Sequence, residues 1–169
     1  MTGDRDARVL YVVVCAAGPA PGVRTLIAAA RADGWRVYVI ATPGAVAFLD
    51  VAAIEAGGVP VFSEYRRPDQ EKRQPPADAA VVAPATYNTI NKWAAGIADN
   101  YALGTLAELT GQRVPLVVLT SVNDALAGTR VFARSVAELR AEGVRILHPA
   151  EADPASPDFP WHLALAALR

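Results

Sequence analysis

The sequence holds one cysteine, Cys15, so an internal disulfide is impossible and zinc sites built on several cysteines are excluded. Histidine is nearly as scarce. His148 and His162 both lie near the carboxyl end, among prolines and acids, and none occurs between Met1 and Leu147. That placement favours surface or structural roles for both, and no His/Glu spacing marks a metal site. An excess of either charge is also missing. The 16 Lys and Arg against 17 Asp and Glu leave a formal net charge of −1, which gives no electrostatic basis for binding nucleic acid or an anionic membrane. No apolar run approaches the roughly 20 residues of a membrane-spanning helix. The first run, residues 9–17, is Val-rich and follows Asp4 and Asp6. It reads as a core strand and not as the apolar part of a secretion signal. A cytoplasmic protein is expected. The signatures G-x-G-x-x-G, G-x-x-x-x-G-K-[ST] and G-x-S-x-G are absent too.

What is present is a globular composition, 53% hydrophobic and 20% charged over 169 residues. That is enough for one domain, residues 1–169, and too little for two ordinary ones. Runs rich in Val, Ile and Leu predict strands at 8–15, 35–41, 59–62, 79–84, 114–119 and 144–147. They lack polar alternation, the mark of parallel strands covered on both faces. Pro60 marks its run as an edge. Helical periodicity lies between the runs, at 23–33, 45–56, 89–100, 102–109, 125–142 with a break near Gly128, and 161–168. The expected buried faces include Val46, Leu49 and Ile54 in the second helix, Ile90, Trp93 and Ile97 in the third, and Val131, Phe132 and Leu139 in the fifth. Residues 63–78 are polar and predict a mobile surface loop. Segments 1–7 and 150–160 read as irregular. Strands alternating with helices give an α/β fold, a Rossmann-like doubly wound parallel sheet.

The most informative stretch is 79–100. A buried strand ends in Pro84, a cluster of small and polar residues follows, and an amphipathic helix begins. In open parallel sheets ligands collect at such junctions. The loop after the first strand, residues 16–22, has two glycines and two prolines, which permit a sharp turn and close backbone approach at Gly18. Cys15 ends a buried strand and reads as an inert packing thiol. Tyr87 and Trp93 read as core or interface residues.

Pro84-Ala85-Thr86-Tyr87-Asn88-Thr89 resembles the P-A-S-A-N-T motif of the homo-oligomeric flavin-containing cysteine decarboxylases. That family includes phosphopantothenoylcysteine decarboxylase and the peptidyl-cysteine decarboxylases of lanthipeptide biosynthesis, and the flavin prenyltransferases share its fold. Asn91-Lys92 and Gly96-Ile97-Ala98-Asp99-Asn100 resemble the family's continuation, N-K-x-A-x-G-x-x-D-N. Thr42, Ala45 and Phe48 match its T-x-x-A-x-x-F pattern, and Thr120-Ser121-Val122-Asn123 falls where it has P-x-M-N.

The resemblance implies an FMN cofactor at the carboxyl ends of the strands, often between subunits of a trimer. A homo-oligomer, a trimer or a multiple of trimers, follows from it. Gly18, Thr42, Phe48, Pro84, Ala85, Thr86 and Thr89 are the implied flavin-binding residues. Asn88 would bind the substrate carboxylate, and Asn123 would help to hold a small-molecule or peptide thiol substrate. The implied reaction is oxidative decarboxylation of a cysteine-type acid.

The chain also departs from the pattern. The family's histidine, shortly before the P-A-S-A-N-T strand, has no counterpart in the loop 63–78, where Glu64 is one conceivable substitute. Thr120 stands for the proline, Val122 for the methionine and Ala127 for the tryptophan of P-x-M-N-x-x-M-W. The second cysteine that phosphopantothenoylcysteine decarboxylases use is missing. A non-catalytic flavin carrier is therefore the second reading. A nucleotide- or sugar-binding module is a third, which leaves the 84–100 pattern unexplained.

Overall fold

In the computed structural model, which describes residues 7–71, 74–149 and 158–169, the Val-rich runs form six strands. These are β1 (Val9–Val14), β2 (Arg36–Ala41), β3 (Val61–Phe62), β4 (Ala79–Ala85), β5 (Leu116–Thr120) and β6 (Arg145–Leu147). All neighbours pair in parallel, in the order β3-β2-β1-β4-β5-β6. Every residue of β1, β4 and β5 is buried, as expected of strands sandwiched between helix layers. The chain leaves β1 toward β2 and β3, then returns to the other side of β1 as β4. The connections after β1 and β4 therefore diverge, which opens a crevice at their carboxyl ends.

The pleat sends alternate side chains to opposite faces. Leu10, Val12 and Val14 enter one core with α1 (Val23–Ala32), α2 (Val51–Ala56) and α7 (Trp161–Ala166). Tyr11, Val13 and Cys15 enter the other, with α3 (Tyr87–Ala94), α4 (Tyr101–Gly111) and α6 (Arg130–Ala141). A four-residue helix, α5 (Asp124–Ala127), precedes α6, and the break between them falls at Gly128 as predicted. No helix among the described residues is long and apolar enough to cross a membrane.

Two helices differ from the sequence expectation. The stretch 45–56 is not one helix but a 3₁₀ turn, Pro43–Phe48, followed by α2. The Asp50 carboxylate accepts the Ala53 N–H at 3.0 Å and starts α2 afresh. Val46 and Phe48 consequently remain exposed, and Leu49 is only partly covered. The helix expected over 89–100 begins earlier, at Tyr87, because Thr86 caps it, and it stops at Ala94. Gly96, at φ 73°, turns the chain away, so Ile97 is exposed and not buried. Val131 is exposed as well, while Phe132 and Leu139 of the same helix are buried.

The described residues of the polar segment after β3 make specific contacts with the body of the domain. Tyr11 donates its hydroxyl to the Pro75 carbonyl at 2.6 Å, and Tyr101 donates to Gln74 Oε1 at 2.7 Å. The Tyr65 ring meets the Tyr101 ring edge-on, 5.3 Å between centroids. Its hydroxyl occupies the space that a Cβ on Gly104 would need. Between this segment, the end of β3 and α4 lies a cavity of roughly 830 Å³.

Burial, with smaller contributions from Tyr101, Tyr38 and Glu108, pushes the Tyr11 hydroxyl from 10.0 up to about 12. The unfolded chain loses this proton first, so stability falls as pH rises through that window. Urea midpoints measured below pH 10 and near pH 12 should drop more steeply in the parent chain than in Tyr11→Phe. Separately, Asn100 caps α4 by accepting the Leu103 N–H at 2.9 Å. Asn100→Ala should lower the unfolding free energy by about 1 kcal/mol, read from the urea midpoint at unchanged slope.

Candidate functional site

The crevice is laced together by backbone hydrogen bonds to the end of β4. The Cys15 N–H donates to the Pro84 carbonyl at 3.1 Å, and the Ser121 N–H donates to the Ala85 carbonyl at 2.8 Å. The Thr42 N–H donates to the Val14 carbonyl at 2.9 Å, which brings the loop after β2 to the same edge. The Ala83–Pro84 peptide is cis, and the β4–β5 register shifts between Val82 and Ala85. The loops after β1, β2, β4 and β5 thus meet around one opening.

Each predicted residue has a definite place here. Gly18 is exposed in the turn after β1. Thr42 is buried at the start of the 3₁₀ turn, and Phe48 is exposed at that turn's end. A Cβ on Gly44 would lie 3.3 Å from the Ala16 methyl, so this turn and the β1 loop are in close contact. Pro84 and Ala85 are buried. Thr86 caps α3: its hydroxyl accepts the Thr89 N–H at 3.4 Å and donates to Thr89 Oγ1 at 3.2 Å. The Cys15 thiol donates to Thr89 Oγ1 at 3.3 Å. Thr89 therefore belongs to the floor beneath the crevice. Burial raises the Cys15 pKa, which keeps the thiol protonated and unreactive, as a packing residue should be.

Asn88 sits exposed in the first turn of α3, and its side chain makes no hydrogen bond to another described residue. Its amide is free for a ligand, beside N–H groups that the first turn of a helix leaves unpaired. Asn123 lies one strand away, past the end of β5. Its Oδ1 is engaged, because it caps α5 by accepting the Leu126 N–H at 2.9 Å; only its amide nitrogen remains for a ligand.

Much of the 84–100 pattern holds the junction's shape. Lys92 Nζ pairs with Asp99 Oδ2 at 2.5 Å, Gly96 supplies the left-handed turn and Asn100 caps α4. These three fix the path from α3 into α4 and so the angle at which α3 meets the crevice.

Two residues were missed by the sequence reading. Ser121 Oγ is buried with no hydrogen-bond partner, directly beside the Ala85 carbonyl that its own N–H satisfies. Its membership of the polar run 120–124 was the available signal. His148 is not stranded in the tail. It directly follows β6 at the carboxyl edge of the sheet, with Nδ1 2.5 Å from Thr120 Oγ1. Its ring lies 6.2 Å from that of Phe132, which stacks on Tyr87 at 5.9 Å. His162 lies on α7, in the layer across the sheet. Glu64 lines the separate cavity by α4, which shares no residue with 16–18, 42–48 or 84–89. Among the described residues no cluster of His, Cys, Asp and Glu could hold a metal ion.

Residues 3–158 match the family model described as Flavoprotein. No curated protein matches the chain by sequence. Among solved structures, the FMN-dependent cysteine decarboxylase SpaF is similar over 96% of both chains, with 27% identity and a TM-score of 0.77. The peptidyl-cysteine decarboxylase EpiD is 20% identical over 95% of this chain and 97% of its own, with a TM-score of 0.77. A mutant PPC decarboxylase complexed with pantothenoylaminoethenethiol is 20% identical over 94% of this chain and 97% of its own, with a TM-score of 0.69. With a match that spans nearly its whole length, and the crevice geometry beneath it, the chain belongs to the Flavoprotein family.

Proposed function

We propose that the protein binds FMN in the β1/β4 crevice and oxidatively decarboxylates a thiol acid of the cysteine type, with a peptide ending in cysteine as the preferred substrate class. The observation that carries this reading is the seating of the 84–89 motif at the switch point, with Asn88 unpartnered in the first turn of α3. The similarity to SpaF over 96% of both chains supports the chemistry.

The residues present fit a flavin. The orphaned Ser121 hydroxyl needs a polar partner beside Ala85. The small residues at 16–18 admit a planar ring close to the backbone, and the exposed Phe48 offers an apolar wall. Gly18, Thr42, Pro84, Ala85 and Thr86 would hold the cofactor, with Thr89 supporting Thr86 from below. Bound FMN would supply a two-electron acceptor for the thiol-bearing carbon, after which carbon dioxide leaves because the thiocarbonyl takes up the bonding electrons. The chain's own residues bind and orient. The Asn88 amide donates to the substrate carboxylate, and the Asn123 amide nitrogen holds the substrate from the β5 side. Assembly into a trimer or a multiple of trimers belongs to the same reading, and the exposed Phe48, Ile97 and Val131 are surface that such contacts would cover.

A flavin carrier without turnover is the second reading. It draws on one observation: the described part of the segment before β4, where the family pattern has its histidine, holds no imidazole.

Purified protein should show flavin absorbance, or gain it on mixing with FMN; a colourless protein that gains none refutes both readings. Anaerobic incubation with peptides ending in cysteine should bleach the flavin and remove the mass of carbon dioxide and two hydrogens. No turnover of any thiol acid leaves the carrier. Asn88→Asp should keep fold and flavin while turnover drops roughly 100-fold or more, because one donor is lost and a second carboxylate faces the substrate's. Unchanged turnover in that variant removes the assigned role.

A further inference from the structure

We propose that His148 is the base of this site, taking the proton of the substrate thiol at Nε2. The inference rests on the decarboxylase reading above. It assigns the imidazole to a different strand from the one where the family pattern carries its histidine.

The topology brings His148 into position. Leu119 pairs with Leu147 in register, so the next residues, Thr120 and His148, stand side by side past the ends of β5 and β6. Leu116 and Val118 face the α3/α6 core, while Val117 and Leu119 face the other. By alternation Thr120 points toward α3 and α6, and His148, two residues after Ile146, does the same. The ring contacts agree. His148 lies against Phe132, and Phe132 stacks on Tyr87, the residue before Asn88. Thr120 also pairs with Ala85, the residue before Thr86. Two strand spacings separate the ends of β4 and β6, about 10 Å. In the proposed complex the substrate lies between the two, with its carboxylate on Asn88 and its thiol toward His148.

The chemistry follows from the hydrogen bond at Nδ1. Thr120 Oγ1 and His148 Nδ1 are 2.5 Å apart, and the proposed tautomer carries the shared proton on Nδ1, which leaves Nε2 with a free lone pair. His148 is exposed, so its ring is reachable by a ligand. An ordinary cysteine thiol, with a pKa near about 8.5, is mostly protonated at neutral pH. In the proposed step the S–H bond breaks, the proton passes to Nε2, and the electron pair stays on sulfur. The resulting thiolate is the form that gives up electrons readily, and the imidazolium beside it offsets its charge. The other candidates are placed elsewhere: Glu64 in the cavity by α4 and His162 on the opposite layer.

The experiment uses flavin-loaded protein and two substitutions. His148→Asn keeps a donor at the Nδ1 position for Thr120 but has no nitrogen at Nε2. His148→Gln places its amide near Nε2 but cannot accept a proton. Both should fold, keep stoichiometric flavin and retain KM for a cysteine-terminated peptide within about threefold, while kcat falls about 100-fold or more. Retained kcat in His148→Asn would show an anchoring role only and overturn the proposal. An independent readout needs no turnover. Heteronuclear NMR of the imidazole nitrogens should show a protonated Nδ1 and a bare Nε2, and adding a serine-terminated peptide, which cannot be oxidised, should shift Nε2. A proton resident on Nε2, or no shift with the peptide bound, overturns it. Because this readout is independent of flavin chemistry, failure of the decarboxylase reading and failure of the His148 assignment are separable: the first is absence of turnover in the parent chain.

Discussion

The carbonyls of Pro84 and Ala85 accept N–H donors that arrive from two other strands, at Cys15 and at Ser121. Everything that could touch a ligand is referred to those two atoms. The loop after β1 hangs from one and the polar segment after β5 from the other, while the turn after β2 is joined to β1 through Thr42 and Val14. Backbone bonds of this kind do not depend on side-chain rotamers, so the opening keeps its shape while the side chains around it vary. The fold needs only a strand order that reverses at this point, and the order β3-β2-β1-β4-β5-β6 supplies it.

Polar groups at the crevice divide into those that build it and those left over. The hydroxyls of Thr86 and Thr89, the Cys15 thiol and the Asn123 side-chain oxygen are occupied with one another or with helix termini. The Asn88 amide and the Ser121 hydroxyl are not. A buried polar atom without a partner costs free energy in the absence of a ligand. Such an atom beside a satisfied framework is where binding energy can be recovered. This division separates polar atoms already committed to the framework from those still open to a partner, which residue type alone does not do.

Strand positions and the parallel arrangement were legible because a Val-rich run without polar alternation has one stable solution, burial between two helix layers. The strand-to-helix junction was legible for a related reason: 84–100 joins a strand end, a cap and a helix in a fixed order, and Lys92, Asp99, Gly96 and Asn100 each serve a local structural need. Helix limits were less so. Periodicity extends through Ile97 and through Val46, yet the Asp50 carboxylate and the left-handed Gly96 override it locally. His148 was hidden altogether. Among prolines and acids it reads as tail, and only the register of β6 against β5 shows that it borders Thr120. Long-range pairing is the information that a local reading of sequence lacks.

The missing methyl at Gly104 has a consequence for the rim of the molecule. A hydroxyl from Tyr65 rests where any other residue would carry its Cβ, so the segment after β3 is keyed to α4 by shape, with Tyr11 and Tyr101 as further points of attachment. The three aromatic rings come from three places, Tyr65 from the segment itself, Tyr11 from β1 and Tyr101 from α4. The wall of the large cavity therefore depends on position 104 having no side chain. The crevice at the strand ends shares none of the cavity's lining residues, so a change at position 104 would be felt at this wall and not at 16–18, 42–48 or 84–89.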